Sequence, residues 1–298
     1  NPVTVRPGVG YFLKYNKEAE INRTFRGTNI FEVSPEVNPV RVYTAEENRG
    51  GWNAVGAPSI PINVEALDFR ALGNGNRPDK NYMLEYGVWK YMTKEGYKEV
   101  NELRPGLGYW IKVNENGYYY FNTANPKLSE GVSSSLAFRN DLKAMSTEIV
   151  VSDNNQSAKS LFVSNSAKVN SIELPPLPPS FDVRFEGNTE LTNNNEAVIQ
   201  LTNVEYPVSI SAKGLNGTFE LSDAATGEVF GTISSDNYSS VEINASSNSI
   251  KLNKVEVAEV ATVNSVYPNP VLDNATINFN LPETGNVNVT LIDAVGNT

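Results

Sequence analysis

The side chains of this sequence that could do chemistry are mainly carboxylates and aromatic rings, because cysteine and histidine are both absent. The 298-residue sequence has no Cys and no His. The first absence removes thiolate nucleophiles and disulfides, and the second removes the commonest general base and metal ligand. Ser-His-Asp and Cys-His catalytic sites and the usual zinc sites are therefore excluded. Carboxylate pairs, Ser-Lys pairs, a Schiff-base Lys and calcium held by oxygen atoms remain. A chain with 34 acidic residues contains carboxylate pairs by chance. The composition favours a protein that is not an enzyme.

The densest chemical feature is a run of Tyr, Trp and Phe between positions 82 and 121. Aromatic faces can stack on the apolar faces of sugar rings, which makes Trp89, Tyr91 and Trp110 candidate carbohydrate-binding residues. The alternative is that Trp and Tyr, as strong strand formers, fill the half-buried face of a sheet. Polysaccharide binding and ordinary packing are both open at this point.

Two short segments carry oxygen atoms of the kind that calcium binds. They are Ser152-Asp153-Asn154-Asn155 and Asp79-Lys80-Asn81. Neither has the spacing of an EF-hand loop. We expect no cofactor and no transition metal, and a solvated turn is the alternative to a structural calcium ion.

The charge and hydropathy of the chain limit its partners. With 24 basic and 34 acidic residues the formal net charge is −10, which disfavours nucleic acid because such a partner needs a basic face. No apolar run approaches the ~18 residues of a membrane-spanning helix. We therefore expect neither a nucleic-acid partner nor a membrane span.

Apolar residues recur mostly at every second position, as in Ala197-Ile199-Leu201 and Phe219-Leu221. This period is typical of strands with one buried face. Asn-Gly dipeptides such as Asn116-Gly117 lie between such runs and favour hairpin turns. Only residues 63–72 and 133–142 could form a short helix. The sequence predicts an all-β protein.

An internal repeat indicates tandem modules. The eleven residues 6–16 recur as residues 104–114 with seven identities, each copy beginning with Arg-Pro-Gly, and we expect Tyr11 and Tyr109 to occupy equivalent positions. We interpret 1–16 as the tail of a preceding repeat, 17–126 as an aromatic-rich β module, and 127–257 as an immunoglobulin-like or jelly-roll-type β-sandwich. Residues 174–179, Leu-Pro-Pro-Leu-Pro-Pro, are predicted to be a crossover or a sheet edge, because Pro gives no ladder donor. A linker at 258–265 completes this part.

The last segment, 266–298, resembles the start of the C-terminal sorting domain of the Bacteroidetes type IX secretion system. A Tyr-Pro-Asn-Pro box is followed by a strand, a Leu-Pro-x-x-Gly turn, and a second strand ending in Asp-x-x-Gly. The residues that carry the match are Tyr267, Pro268, Asn269, Pro270, Gly285, Asp293 and Gly296. The family's domain is an immunoglobulin-like sandwich of about seven strands, of which this segment supplies about three.

The resemblance implies export by the type IX machinery and a secreted or outer-cell-surface location. Together with the composition, it leads us to expect a non-catalytic structural or adhesive surface protein. Copies of the chain could associate head to tail, because its two ends should present unpaired strands. The alternative is a carbohydrate-binding accessory region of a larger secreted hydrolase.

Overall fold

The computed structural model describes residues 8–10, 40–44, 51–72, 87–121, 134–164, 171–215, 217–236, 239–244, 247–255, 262–268 and 273–280, with single positions 270, 288, 290 and 295. It divides into two compact units, Asn1–Lys254 and Val255–Thr298. Within the described residues it is almost entirely β, with a single α-helix. The predicted all-β fold class is confirmed.

Nine short strands are described in the first part of unit one. They are β1 (Val40–Val42), β2 (Trp52–Gly56), β3 (Ile62–Asn63), β4 (Leu67–Ala71), β5 (Trp89–Met92), β6 (Gly96–Glu99), β7 (Glu102–Leu103), β8 (Gly108–Lys112) and β9 (Gly117–Phe121). They form a three-stranded sheet β1-β9-β4, a four-stranded sheet β2-β8-β5-β6 and a β3-β7 pair. Val55 and Ile111 of the four-stranded sheet and Phe69 and Tyr119 of the three-stranded sheet share one buried cluster. We call residues 40–121 the aromatic module.

The second part is a two-sheet sandwich preceded by helix α1 (Ser134–Ala144). Its strands are β10 (Ser146–Ser152), β11 (Ala158–Ser164), β12 (Asp182–Phe185), β13 (Leu191–Thr192), β14 (Glu196–Thr202), β15 (Val208–Gly214), β16 (Thr218–Asp223), β17 (Val229–Ser234), β18 (Ser240–Ile243) and β19 (Ser249–Lys254). One sheet has the order β13-β11-β10-β15-β18 and the other β12-β14-β19-β16-β17. Ile149, Ile210, Ile199 and Leu221, from both sheets, are buried together, as period-two alternation requires.

The Pro-rich residues 174–179 lie outside every strand and connect β11 with β12. Because these strands belong to opposite sheets, the segment is a crossover, one of the two predicted possibilities. Of the two candidate helices, only the second forms as an α-helix. In the first, a 3-10 turn at Val64–Ala66 leads into β4, since alternating Leu67, Phe69 and Ala71 are all buried.

The repeated motif is described only in part. Gly8 and Gly106, its two equivalent glycines, both have positive φ, +72° and +79°, which glycine adopts without strain. In the first copy, Gly10 N–H donates to Ala54 C=O (3.1 Å) and Gly56 N–H donates to Gly8 C=O (2.7 Å), so this segment pairs with β2. Tyr11 lies outside the described residues, and its equivalence with Tyr109 stays a prediction.

Unit two contains an antiparallel hairpin, β20 (Thr262–Tyr267) and β21 (Thr276–Asn280). β20 begins at Thr262, inside the stretch 258–265 interpreted as a linker, so the last four residues of that stretch belong to a strand. Tyr267 ends β20, followed by Pro268, and its side chain is exposed, as is Pro270. Asn269, Gly285, Asp293 and Gly296 lie outside the described residues. Among the helices that are described, none is long and apolar enough to span a membrane.

Candidate functional site

All three Trp residues of the chain lie on one face of the β2-β8-β5-β6 sheet. Ala54 pairs with Trp110, and Trp52 lies two residues before Ala54 on β2. Trp110 pairs in turn with Trp89 across β8 and β5. Paired residues in an antiparallel sheet, and residues two apart on a strand, point to the same side. Tyr91 and Tyr97 pair across β5 and β6 and extend this row. We call the row the aromatic face.

Most of the aromatic face packs against the sandwich module. Trp89 and Tyr97 are completely buried, in one cluster with Ile172, Leu174 and Leu191 of the sandwich. Trp89 therefore cannot stack on a ligand, and the prediction for that residue is wrong. The physical reason is that a neighbouring module covers it, and one sequence read alone gives no sign of that cover.

Glu173 anchors one side of this interface. Its Oε1 accepts a hydrogen bond from Trp52 Nε1 at 3.0 Å. Its Oε2 lies 2.5 Å from Lys112 Nζ. Both partners project from the aromatic module, so one carboxylate of the crossover region joins two strands of the opposing sheet.

Tyrosine hydroxyls anchor the other side. Tyr97 OH donates to Pro176 C=O and Tyr91 OH donates to Phe181 C=O, each at 2.8 Å. Burial raises the pKa of Tyr97, which keeps the hydroxyl protonated as a donor. The carbonyl at Pro176 belongs to the Pro-rich crossover, so these bonds fix the crossover against the aromatic face.

A buried ionic cluster lies beside these contacts. Glu190 contacts Lys159 and Lys143, each at 2.6 Å. Lys159 Nζ also donates to Tyr97 C=O at 2.5 Å, across the interface. Burial lowers the pKa of the Lys159 ammonium. Burial alone would raise the pKa of Glu190, but the two ammonium groups together lower it.

A second ion pair crosses the interface at its periphery. Arg139 of α1 binds Glu99 of β6 through two donors, at 2.7 Å and 2.5 Å. Both side chains are at least nine-tenths buried. The sequence does not pair Glu99 with Arg139 or Lys159 with Glu190, because the partners lie 40 and 31 positions apart along the chain.

The remaining predicted binding residues, Tyr91 and Trp110, are half-buried and line a cleft of about 190 Å³. The full lining is Gly10, Ala54, Lys90, Tyr91, Leu107, Gly108, Tyr109 and Trp110. The structure thus keeps two of the three candidate residues together at the uncovered end of the aromatic face.

Of the two candidate calcium segments, the structure describes residues 152–155, which end a strand and form a turn. Asp153 Oδ1 accepts from Ser157 N–H at 2.8 Å, and Oδ2 accepts from Glu205 N–H at 3.2 Å. These bonds occupy the carboxylate within the protein. Asp79 and Asn81 lie outside the described residues, and in the described part no cluster of three acidic groups could hold a metal ion.

Compared with protein-family models, curated proteins and solved structures, the chain gives no significant match to any of them. Its function must therefore be argued from its own residues.

Proposed function

We propose that this chain is a non-catalytic structural or adhesive segment of a secreted or outer-cell-surface protein delivered by type IX secretion. The observation that carries the structural part is the interface just described. It buries the largest aromatic side chains of one module under the crossover of the next. The sorting-domain resemblance around Tyr267 supports the delivery route.

The use of the chain's polar groups supports a structural role. Glu173, Glu190 and Arg139, which are chemically able to bind or catalyse, are instead held in ion pairs between or beside the modules. Ion pairs that are buried and hydrogen-bonded fix one arrangement of the elements they join. A surface protein exposed to shear and proteases gains from modules that do not separate, since local opening admits proteolysis.

Self-association is part of the proposal. Hairpin β20-β21 exposes Val263, Val266 and Phe279, by 66%, 41% and 39%. A two-stranded hairpin is marginally stable alone, and strand addition from a second copy would cover these side chains. Light scattering should show concentration-dependent oligomers that disappear when 266–298 is deleted. A monodisperse monomer with and without this segment would contradict self-association.

The delivery proposal is tested in cells. The complete gene product is expressed in a Bacteroidetes host, and antibodies against the sandwich are applied to intact cells of the wild type and of a strain lacking type IX secretion. We expect the antibodies to label intact cells of the wild type only. The protein should likewise be found in the culture medium of the wild type only. Equal surface labelling in both strains would contradict the route.

A further inference from the structure

The cleft beside Tyr91 and Trp110 exists because two neighbouring strands separate. β5 and β8 pair at Trp89 and Trp110, and the register continues no further within the described residues. The next bonded pair of an antiparallel ladder would be Tyr91 with Gly108, two residues along each strand. That pair does not form, and the cleft occupies the gap.

The gap presents backbone donors and acceptors. Val88 C=O accepts from Val100 N–H on the β6 side, so by alternation the backbone groups of Trp89 and Tyr91 face β8. On β2, Gly56 N–H and Ala54 C=O bond to residues 8–10, on the side away from β8. By the same alternation, the backbone N–H and C=O of Gly108 face β5. Within the part of the chain that the structure describes, the N–H and C=O of Tyr91 and of Gly108 have no ladder partner.

The side chains of the cleft give it flat apolar walls and a low floor. Ala54, Gly108 and Gly10 bring little or no side chain, while Leu107 is 38% exposed at the rim. Tyr91 commits its hydroxyl to Phe181 C=O, and Trp110 hydrogen-bonds to the Tyr97 hydroxyl. With their polar ends held by the protein, the two rings are fixed before a ligand arrives, which reduces the entropy lost on binding.

We propose that this cleft binds one sugar ring of a polysaccharide. A pyranose has an apolar face that can lie on an aromatic ring, and its hydroxyl groups both donate and accept, as the paired N–H and C=O groups require. The volume of about 190 Å³ is below the ~300–1,000 Å³ of pockets for drug-sized ligands, which suits a single ring. The inference rests on the adhesive function proposed above and gives it a ligand class.

The test uses the whole chain and a panel of soluble cello-, manno-, xylo- and chito-oligosaccharides, with binding followed by calorimetry and by NMR. Leu107→Ser removes the rim of the cleft, and Trp110→Ala removes a wall. Leu215→Ser is the matched control, since Leu215 is similarly exposed (44%) on the sandwich. Circular dichroism confirms that each variant folds; if Trp110→Ala does not, Leu107→Ser decides the test.

We expect at least one sugar series to bind with Kd of about 1 mM or tighter, and Leu107→Ser and Trp110→Ala to weaken it by about tenfold or more. Leu215→Ser should bind as the unmodified chain does. No binding of any series at millimolar concentration, or equal binding by all variants, would overturn the proposal. So would preferential binding of a Pro-rich peptide with the sequence of residues 173–179. Surface delivery is measured separately in cells, so failure of sugar binding leaves that proposal intact.

Discussion

The aromatic face and the core of the sandwich bury apolar surface in different ways. The sandwich core is made largely of aliphatic side chains such as Ile149, Ile210 and Leu221. The aromatic face is made of Trp and Tyr whose polar ends reach carbonyl and carboxylate groups of the other module. The first is non-directional packing, whereas the second also depends on donor and acceptor positions.

This difference indicates distinct roles. An aliphatic core stabilises a module whatever lies beside it. The aromatic face, which lies beside the buried Lys159, Glu190 and Arg139 of the sandwich and α1, specifies one partner in one orientation, because displacement would leave buried charges unpaired. The sandwich core therefore maintains the fold, and the aromatic face maintains the relation between the modules.

The largest effect should come from the core of the sandwich. Phe219 is 1% exposed, and Phe219→Ala should lower the free energy of unfolding by about 4 kcal/mol through lost burial and a residual cavity. Denaturant unfolding measures the loss. Val229→Ala, at a position 57% exposed, is the control and should change stability by under ~0.5 kcal/mol. Equal losses of unfolding free energy in the two variants would mean that Phe219 does not lie in the packed core between the two sheets.

The ionic cluster should give the next effect. Glu190→Gln leaves Lys159 buried without its carboxylate and should destabilise the chain by about 3 kcal/mol at neutral pH. The pKa of Glu190 is depressed below its ordinary 4.5, so its stabilising contribution is present above that pH and is lost as the pH falls through the lowered value. As the pH falls from about 5 through the range in which carboxylates protonate, the unmodified chain should lose more stability than Glu190→Gln.

Glu196→Gln is the matched control for that experiment. Glu196 is 62% exposed and pairs with Lys251 at 2.9 Å on the surface of the sandwich. Its loss should cost under ~0.5 kcal/mol, because water screens exposed pairs. A similar cost at both positions would remove the distinction between a specifying interface and ordinary surface pairs.

A single hydroxyl should have a smaller effect. Tyr97→Phe keeps the ring but leaves Pro176 C=O without its donor and Trp110 without its acceptor, at an expected cost of about 1–2 kcal/mol. Tyr118→Phe is the control, since that hydroxyl only accepts a 3.5 Å bond from exposed Arg41. Trp emission should shift to longer wavelength in the first variant before global unfolding. No difference between the variants would show that the hydroxyl does not orient the modules.

The smallest effect should lie on the sandwich surface at Asp223. Its Oδ1 accepts from Ala225 and Thr226 N–H at 2.9 and 2.7 Å, and with the Ser247 hydroxyl as the largest cause these bonds lower its pKa to about 2. The turn should be most stable above the ordinary value of 3.8 and should weaken as the pH falls through about 2. NMR titration of the Asp223 carboxyl in the unmodified chain measures this, and a midpoint near 3.8 would contradict it.

Elements that depend on neighbouring residues could be predicted from the sequence. Features that depend on residues far along the chain could not. Period-two alternation predicted the strands of the sandwich, because it follows from neighbouring residues. For the same reason the Pro-rich run predicted a crossover or a sheet edge, of which the crossover forms. The aromatic run contains Tyr91 and Trp110, which the structure places together beside one cleft; ligand binding there stays a prediction. The burial of the run could not be predicted, because Trp89 is covered by Leu174 and Leu191, which lie far along the chain. Likewise, the gap at Tyr91 and Gly108 depends on where two strands separate, which no local pattern encodes.

We expect the aromatic module and the sandwich to unfold as one cooperative unit, because the aromatic face joins them. Since all three Trp residues lie on that face, Trp emission reports on it, while amide exchange in Val208–Gly214 reports on the sandwich core. Both signals should be followed through one guanidinium titration of the intact chain. We expect the transitions in Trp emission and in amide exchange to coincide, with a single midpoint. Trp emission that changes at clearly lower denaturant, with Val208–Gly214 still protected, would contradict it.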